Sequence, residues 1–105
     1  MDDKEVVEIL KCSDGVRIER ITSRGHVSPE GFWYDQTEDE WVALLKGAAV
    51  LEYEDGSEIK LAAGDVLFLP ARKKHRIKYT SEVPECVWLC VFTKTTSKQS
   101  ESDID

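Results

Sequence analysis

The sequence predicts an all-β protein, a sandwich or a barrel of mostly antiparallel strands. Between Val6 and Phe92 the apolar residues form short clusters, and glycines, prolines and charged turns separate the clusters about every 8 to 12 residues. β-branched and aromatic residues fill these clusters, and such residues favour strands. A helical stripe of apolar residues occurs only over residues 5–11, so a helical fold is disfavoured.

The first half of the chain contains four predicted strands. Residues 16–21 alternate between apolar and charged, as in a strand with one buried face. Residues 32–36 are rich in aromatic side chains and form the next predicted strand. Residues 41–45 and 49–53 predict a hairpin that turns at residues 46–47.

The second half continues the same pattern. Residues 59–61 and 66–69 are predicted strands that flank an Ala-Gly-Asp turn. Pro70 ends the second of them, because proline cannot donate to a strand ladder. Residues 75–79 alternate again and predict a further strand.

The last predicted strand, residues 87–92, is apolar on both faces, so both faces need cover. The strand could lie between the barrel interior and a partner subunit. It could equally lie in a sandwich beneath the N-terminal segment, residues 6–10. Trp33 and Trp41 are predicted to point outward, which favours a dimer because large exposed aromatic patches are rare on monomers.

The 105 residues fit one compact domain, with 41% hydrophobic and 33% charged residues. We expect that domain to span residues 1–93. Residues 94–105 are mostly Ser, Thr, Lys, Asp and Glu, which predicts a polar, flexible C-terminal tail.

Charge and hydropathy exclude several classes of function. The net charge of −7 is opposite to the basic footprint of nucleic-acid binding, so no nucleic-acid partner is expected. The longest apolar run, residues 41–45, is far too short to span a membrane, and the N-terminus lacks the cationic start of a signal peptide. We therefore expect a cytoplasmic protein whose three cysteines, Cys12, Cys86 and Cys90, are reduced and buried.

Two segments of the sequence carry a motif pattern. Glu40 and Gly47 are separated by six residues, and Gly64 is followed by five residues, Pro70 and then His75. With this spacing the chain resembles the small, single-domain cupins, and the resemblance covers about half of its length. It implies a double-stranded β-helix, or jelly-roll barrel, that forms a homodimer.

The resemblance also implies a divalent-metal site, but this chain departs from the family pattern. The pattern has a His-x-His pair before the glutamate, which falls here at Trp33 and Asp35 or, with the shorter spacing, at Tyr34 and Gln36. The implied ligands are therefore Gln36, Glu40 and His75, with Gln36 the weakest. Imidazole, carboxylate and amide groups suit iron, manganese, nickel or zinc.

These residues suggest two kinds of function. In the first, a metal-dependent cupin acts on a small polar or anionic molecule as a dioxygenase, isomerase or lyase, with His26 and Tyr34 as candidate proton donors. In the second, the barrel binds or senses a small-molecule ligand without metal or catalysis. The basic residues 72–76 could attract an anion to the barrel, or could form a solvated turn compensated by Glu38, Asp39 or a partner's acids.

Overall fold

A computed structural model describes residues 4–94, and these residues form eight β-strands and no helix. The strands are β1 (Glu5–Ser13), β2 (Val16–Ser23), β3 (Glu38–Lys46), β4 (Ala48–Tyr53), β5 (Glu58–Ala62), β6 (Val66–Leu69), β7 (His75–Thr80) and β8 (Cys86–Lys94). Every strand pair is antiparallel. The prediction of an all-β protein with mostly antiparallel strands is therefore confirmed.

The strands form two sheets that pack around one core. The larger sheet has the order β1-β2-β8-β3-β6, and the smaller has the order β5-β4-β7. Alternate residues of each strand point between the sheets, because successive side chains of a strand point to opposite faces. The buried apolar core consists of Val42, Leu44, Ala49, Leu51, Leu61, Leu69, Cys86, Trp88, Cys90 and Phe92.

The predicted hairpin of residues 41–53 is wrong, because β3 and β4 belong to different sheets. The chain crosses between the sheets at Gly47, whose φ is +91°. A Cβ atom at this position would lie 2.8 Å from the carbonyl oxygen of Glu85 and 2.8 Å from the Oγ of Ser81. Only glycine permits both the backbone conformation and the close approach.

Residues 32–36, predicted as a strand, form a loop instead. Tyr34 alone pairs with His75, through two backbone hydrogen bonds of 2.7 and 3.2 Å. The loop is turned at Gly31, which has a φ of +82°, and Ser28 before that turn also bonds to the backbone of Ile77 in β7. The bridge places the Tyr34 side chain beside His75.

β8 lies at the centre of the larger sheet, between β2 and β3. Its inward residues Cys86, Trp88, Cys90 and Phe92 are buried. The alternative that an N-terminal segment covers its outer face is wrong, because β1 pairs with the edge of β2 in the same sheet.

The cysteines and the end of β8 differ in part from their predictions. Cys86 and Cys90 are buried and unbridged as predicted, whereas Cys12 on the edge strand β1 is exposed. β8 ends one residue beyond the predicted domain limit, and the predicted tail from residue 95 onward lies outside the described residues. Within residues 4–94 there is no helix with the length and apolar character needed to cross a membrane.

Candidate functional site

A cavity of about 330 Å³ lies between the two sheets. This volume falls within the range of small-molecule sites. Apolar side chains such as Val42, Leu51 and Trp88 form part of its wall. The ionisable and polar groups on the wall include Glu5, Arg17, Glu19, His26, Tyr34, Gln36, Glu38, Glu40 and His75. The cavity therefore contains every candidate site residue that the sequence indicated.

His75 begins β7 and is buried, with 5% of its surface exposed. Its Nδ1 lies 3.0 Å from the carbonyl oxygen of Lys73. Because a carbonyl oxygen can only accept, Nδ1 carries the proton and Nε2 is the unprotonated nitrogen of the neutral ring. Burial lowers the pKa of His75, and the bond to Lys73 opposes that shift only in part. The imidazole is therefore neutral at neutral pH.

Glu40 lies on the inward face of β3 and is 6% exposed. The Nε2 of Gln36 donates to its Oε1 at 3.2 Å, and the thiol of Cys90 is a second hydrogen-bond partner. Burial raises the pKa of Glu40 to about 7, while the Gln36 and Cys90 bonds act in the opposite direction. A carboxyl group with two uncharged partners thus titrates near neutral pH within the cavity.

Tyr34 and Gln36 reach the cavity from the loop before β3. The Tyr34 ring stacks on the His75 ring, with centroids 5.2 Å apart and planes inclined by 21°. Burial raises the pKa of Tyr34, with Glu5 and Glu40 adding to the shift, so the phenol keeps its proton. Tyr34 can donate a hydrogen bond here but is a poor metal ligand.

Arg72 anchors this loop from the turn before β7. Its backbone N donates to the Gln36 carbonyl oxygen at 2.7 Å, and its guanidinium pairs with Asp35 at 2.8 Å. Arg72 has a φ of +67°, a conformation that glycine adopts without steric cost. An ion pair thus accompanies a strained backbone at this turn.

A charged cluster of Arg17, Glu19 and Glu38 lies on another part of the cavity wall, and the sequence analysis missed it. Arg17 donates to Glu19 at 2.7 Å and to both carboxylate oxygens of Glu38 at 3.0 and 3.1 Å. Its guanidinium also lies 4.2 Å from the centroid of the Phe92 ring. The alternation of residues 16–21 was read with the apolar residues inward, whereas Arg17, Glu19 and Ile21 line the cavity.

His26 lines the same cavity from the loop after β2. Its Nε2 lies 3.6 Å from Oε1 of Glu5, and its backbone carbonyl accepts a hydrogen bond of 2.6 Å from Thr80. An imidazole beside a carboxylate can give or take a proton. His26 thus lies where a general acid or base for a ligand in this cavity could act.

Carboxylates pair with most of the basic residues 72–76, as in a compensated turn, but the expected partners Glu38 and Asp39 are not among them. Lys73 is the exception and lies over the Tyr53 ring, 4.4 Å from its centroid. Of this run only His75 lines the cavity. The ion pairs are Arg72–Asp35 (2.8 Å), Lys74–Glu54 (3.6 Å) and Arg76–Glu52 (3.3 Å).

The donor set determines whether a metal ion fits. Among residues 4–94, no group of three or more His, Cys, Asp and Glu side chains is arranged to hold one. Glu40 and His75 are two suitable ligands, and the amide of Gln36, a weaker one, is hydrogen-bonded to Glu40. Metal binding through these side chains therefore remains a prediction, and an ion there would take most of its coordination from outside the protein.

Two antiparallel sheets around a cavity with both apolar and ionisable walls define a jelly-roll barrel with an internal site. The family comparison agrees, since a model of the cupin domain matches residues 23–92. The chain therefore belongs to the cupin family.

Solved structures extend this assignment. A candidate mannose-6-phosphate isomerase from Ralstonia eutropha JMP134 is 38% identical, with a TM-score of 0.84 over 90% of this chain and 88% of that one. A cupin superfamily protein from Desulfitobacterium hafniense DCB-2 is 23% identical, with a TM-score of 0.75 over 90% and 82% of the two chains. KdgF from Halomonas sp. is 19% identical, with a TM-score of 0.72 over 93% and 87%. The last two similarities establish the fold alone, and no curated protein matches the chain.

Proposed function

We propose that the barrel binds a divalent metal ion, iron, manganese, nickel or zinc, through Glu40, His75 and Gln36, and handles a small polar or anionic molecule there. The main support is the state of the two stronger donors. Glu40 is a buried carboxyl group with uncharged partners, and His75 is a neutral imidazole whose Nδ1 proton is fixed by a backbone carbonyl. The hydrogen bond from Nδ1 to the Lys73 carbonyl oxygen orients the His75 ring in the way common for histidine ligands.

The chemistry that a bound metal supplies is Lewis-acid polarisation of a ligand oxygen. The protein's own groups would position the ligand and move protons. Tyr34 presents a phenol proton next to His75, and His26 with Glu5 provides an imidazole on the same cavity wall. The similarity to the candidate isomerase from Ralstonia eutropha supports a role for such proton-transfer groups.

The charges on the cavity wall affect how strongly an anionic ligand would be attracted. Arg17 is engaged by two carboxylates, so the described wall offers an anion no free guanidinium. Glu5 and Glu40 add further acidic groups. An anionic ligand would therefore depend on the metal for its attraction, whereas a neutral polar ligand could bind through hydrogen bonds alone.

A metal-free cupin that binds or senses a small molecule is the second candidate. It is favoured by the small donor set, in which the described residues supply only two charged or imidazole ligands. In this function the Gln36–Glu40 pair and the Tyr34–His75 stack would serve as a polar lining for the ligand.

Elemental analysis of the protein, purified without a histidine tag or chelator, tests the choice. The metal-site proposal predicts near-stoichiometric metal in the wild type and its loss in Glu40→Ala and His75→Ala. His26→Ala is the matched control, because it removes the other cavity histidine. It should retain the metal, since His26 is not one of the proposed ligands. Folding of each variant is checked by its melting temperature.

Metal addition gives an independent measurement. A divalent ion at about 100 times its Kd should stabilise the native state by about 2.7 kcal/mol. A wild type that carries no metal, and whose melting temperature does not respond to manganese, iron, nickel or zinc, would favour the metal-free function.

A further inference from the structure

The cavity wall carries more acidic groups than basic ones. Glu19 and Glu38 both bind Arg17, which is the only lysine or arginine that the described part of the chain places on this wall. Glu5 and Glu40 line the same cavity. Such a wall repels anions and attracts a positively charged group.

Three of these carboxyl groups converge on one region of the cavity. The strand registers place Glu19 opposite Cys90 in β8, and Glu40 opposite Phe92, two residues further along the same strand. Glu5, Glu19 and Glu40 all lie near enough to interact electrostatically with the Cys90 thiol. Their negative potential is therefore concentrated rather than spread around the wall.

Glu40 has no positively charged partner of its own. It is buried, and its hydrogen-bond partners, Gln36 and Cys90, are uncharged. A buried carboxylate is normally paired with a positive group. Arg17 cannot serve fully, because its guanidinium is already bound to other carboxylates. A ligand with a positive charge would supply the missing partner.

His75 provides a second, independent indication of a ligand. Its side chain is 5% exposed, and its Nδ1 is held by the carbonyl oxygen of Lys73. Among residues 4–94 no polar group bonds to Nε2, which is a hydrogen-bond acceptor on the cavity wall. Buried polar atoms are almost always hydrogen-bonded. The Nε2 atom thus calls for a ligand that donates a hydrogen bond.

We propose that the cavity binds a small primary amine in its protonated form, with the ammonium group between Glu19 and Glu40. An ammonium group has three N–H donors and no acceptor, which suits a wall that offers two carboxylates and the His75 Nε2. Apolar side chains such as Val42 and Trp88 form the rest of the lining, so the remainder of the ligand is a short hydrocarbon group. This inference rests on the metal-free binding function proposed above, in which Glu40 and His75 are left to the ligand.

Three molecules of similar shape and different charge test the proposal: butylamine, butanol and butyrate. Binding is measured by NMR titration of the protein as purified, at about pH 7.5, where an alkylamine is protonated. The wild type should bind butylamine at least about 10-fold more tightly than butanol, and should not bind butyrate.

Glu19→Gln should weaken butylamine binding about 10-fold and leave butanol binding unchanged, because it removes one carboxylate and keeps the side-chain shape. Glu30→Gln is the matched control, since Glu30 is exposed and lies outside the cavity, and it should change neither affinity. Glu40→Gln is the second variant and should also lose the preference for the amine. The dispersion of the NMR spectrum checks the fold of each variant.

Elemental analysis of the same samples separates this inference from the proposed functions. A metal-free protein without a preference for butylamine would overturn the inference and leave the metal-free function standing. A protein that carries metal would overturn the metal-free function, whereas butylamine binding that still depends on Glu19 would retain the amine site, because Glu19 is not a proposed metal ligand. Butylamine that does not bind, or that binds equally to the wild type and Glu19→Gln, would overturn the inference at any metal content.

Discussion

Replacing Glu40 by glutamine should make the stability of the metal-free protein less sensitive to pH. Burial raises the pKa of Glu40 from 4.5 to about 7. The folded protein therefore holds this proton more tightly than the unfolded chain does. Below pH 4.5 the carboxyl group is protonated in both states and costs nothing, and stability falls as the pH rises from 4.5 through 7. At about 1.4 kcal/mol per pH unit, the full cost is about 3 kcal/mol.

The assay is urea unfolding of the wild type and Glu40→Gln near pH 5 and pH 8, with a chelator present. Glutamine keeps the shape of the side chain and cannot ionise, so the variant should gain about 2 to 3 kcal/mol relative to the wild type between these two pH values. Glu30→Gln, at an exposed position, controls for the loss of one negative charge. An equal pH dependence in the wild type and Glu40→Gln would refute the reasoning.

Substitutions at Gly47, Arg72 and Ser23, with a control at Gly56, test the local structure by chemical denaturation. Gly47→Ala should destabilise the fold by at least about 2 kcal/mol through overpacking and backbone strain, whereas Gly56→Ala, with φ +93° and open space around it, should show the backbone cost alone. Arg72→Gly should be about 1 kcal/mol more stable than Arg72→Ala, because both lose the ion pair and only glycine relieves the positive φ. Ser23→Ala should cost about 1 to 3 kcal/mol, since it leaves the buried Nε1–H of Trp88 without its acceptor at 2.9 Å. An unchanged midpoint in Ser23→Ala would mean that water replaces the hydroxyl.

Local sequence patterns were sufficient to locate most strands but not to predict which strands pair with each other. Alternation and turn residues identified the strands around Leu51, Leu61 and Leu69, because these signals are contained within a few residues. The partner of a strand is set by the whole fold, so the crossing at Gly47 looked like a hairpin turn. The bridge at Tyr34 was likewise read as a strand, since aromatic composition does not reveal whether a neighbouring backbone is available.

The motif spacing singled out two residues that the fold brings to the cavity. Glu40 and His75, identified by their spacing from Gly47, Gly64 and Pro70, both line it, and their role as metal ligands stays a prediction. Arg17 was missed because a charged residue in an alternating strand normally faces solvent. Its partner Glu38 is 21 residues away in the sequence. The one signal in the sequence was that Val16 and Ile18 lie on the face of the strand opposite to Arg17.

The central position of β8 has a consequence for the order of events during synthesis. β8 (Cys86–Lys94) separates β2 from β3, yet it is the last of the eight strands to be made. Until it leaves the ribosome, the larger sheet exists only as a β1–β2 hairpin and a β3–β6 pair with no ladder between them. The nascent chain therefore carries unpaired strand edges for most of its translation, and the cavity closes only when the final strand inserts.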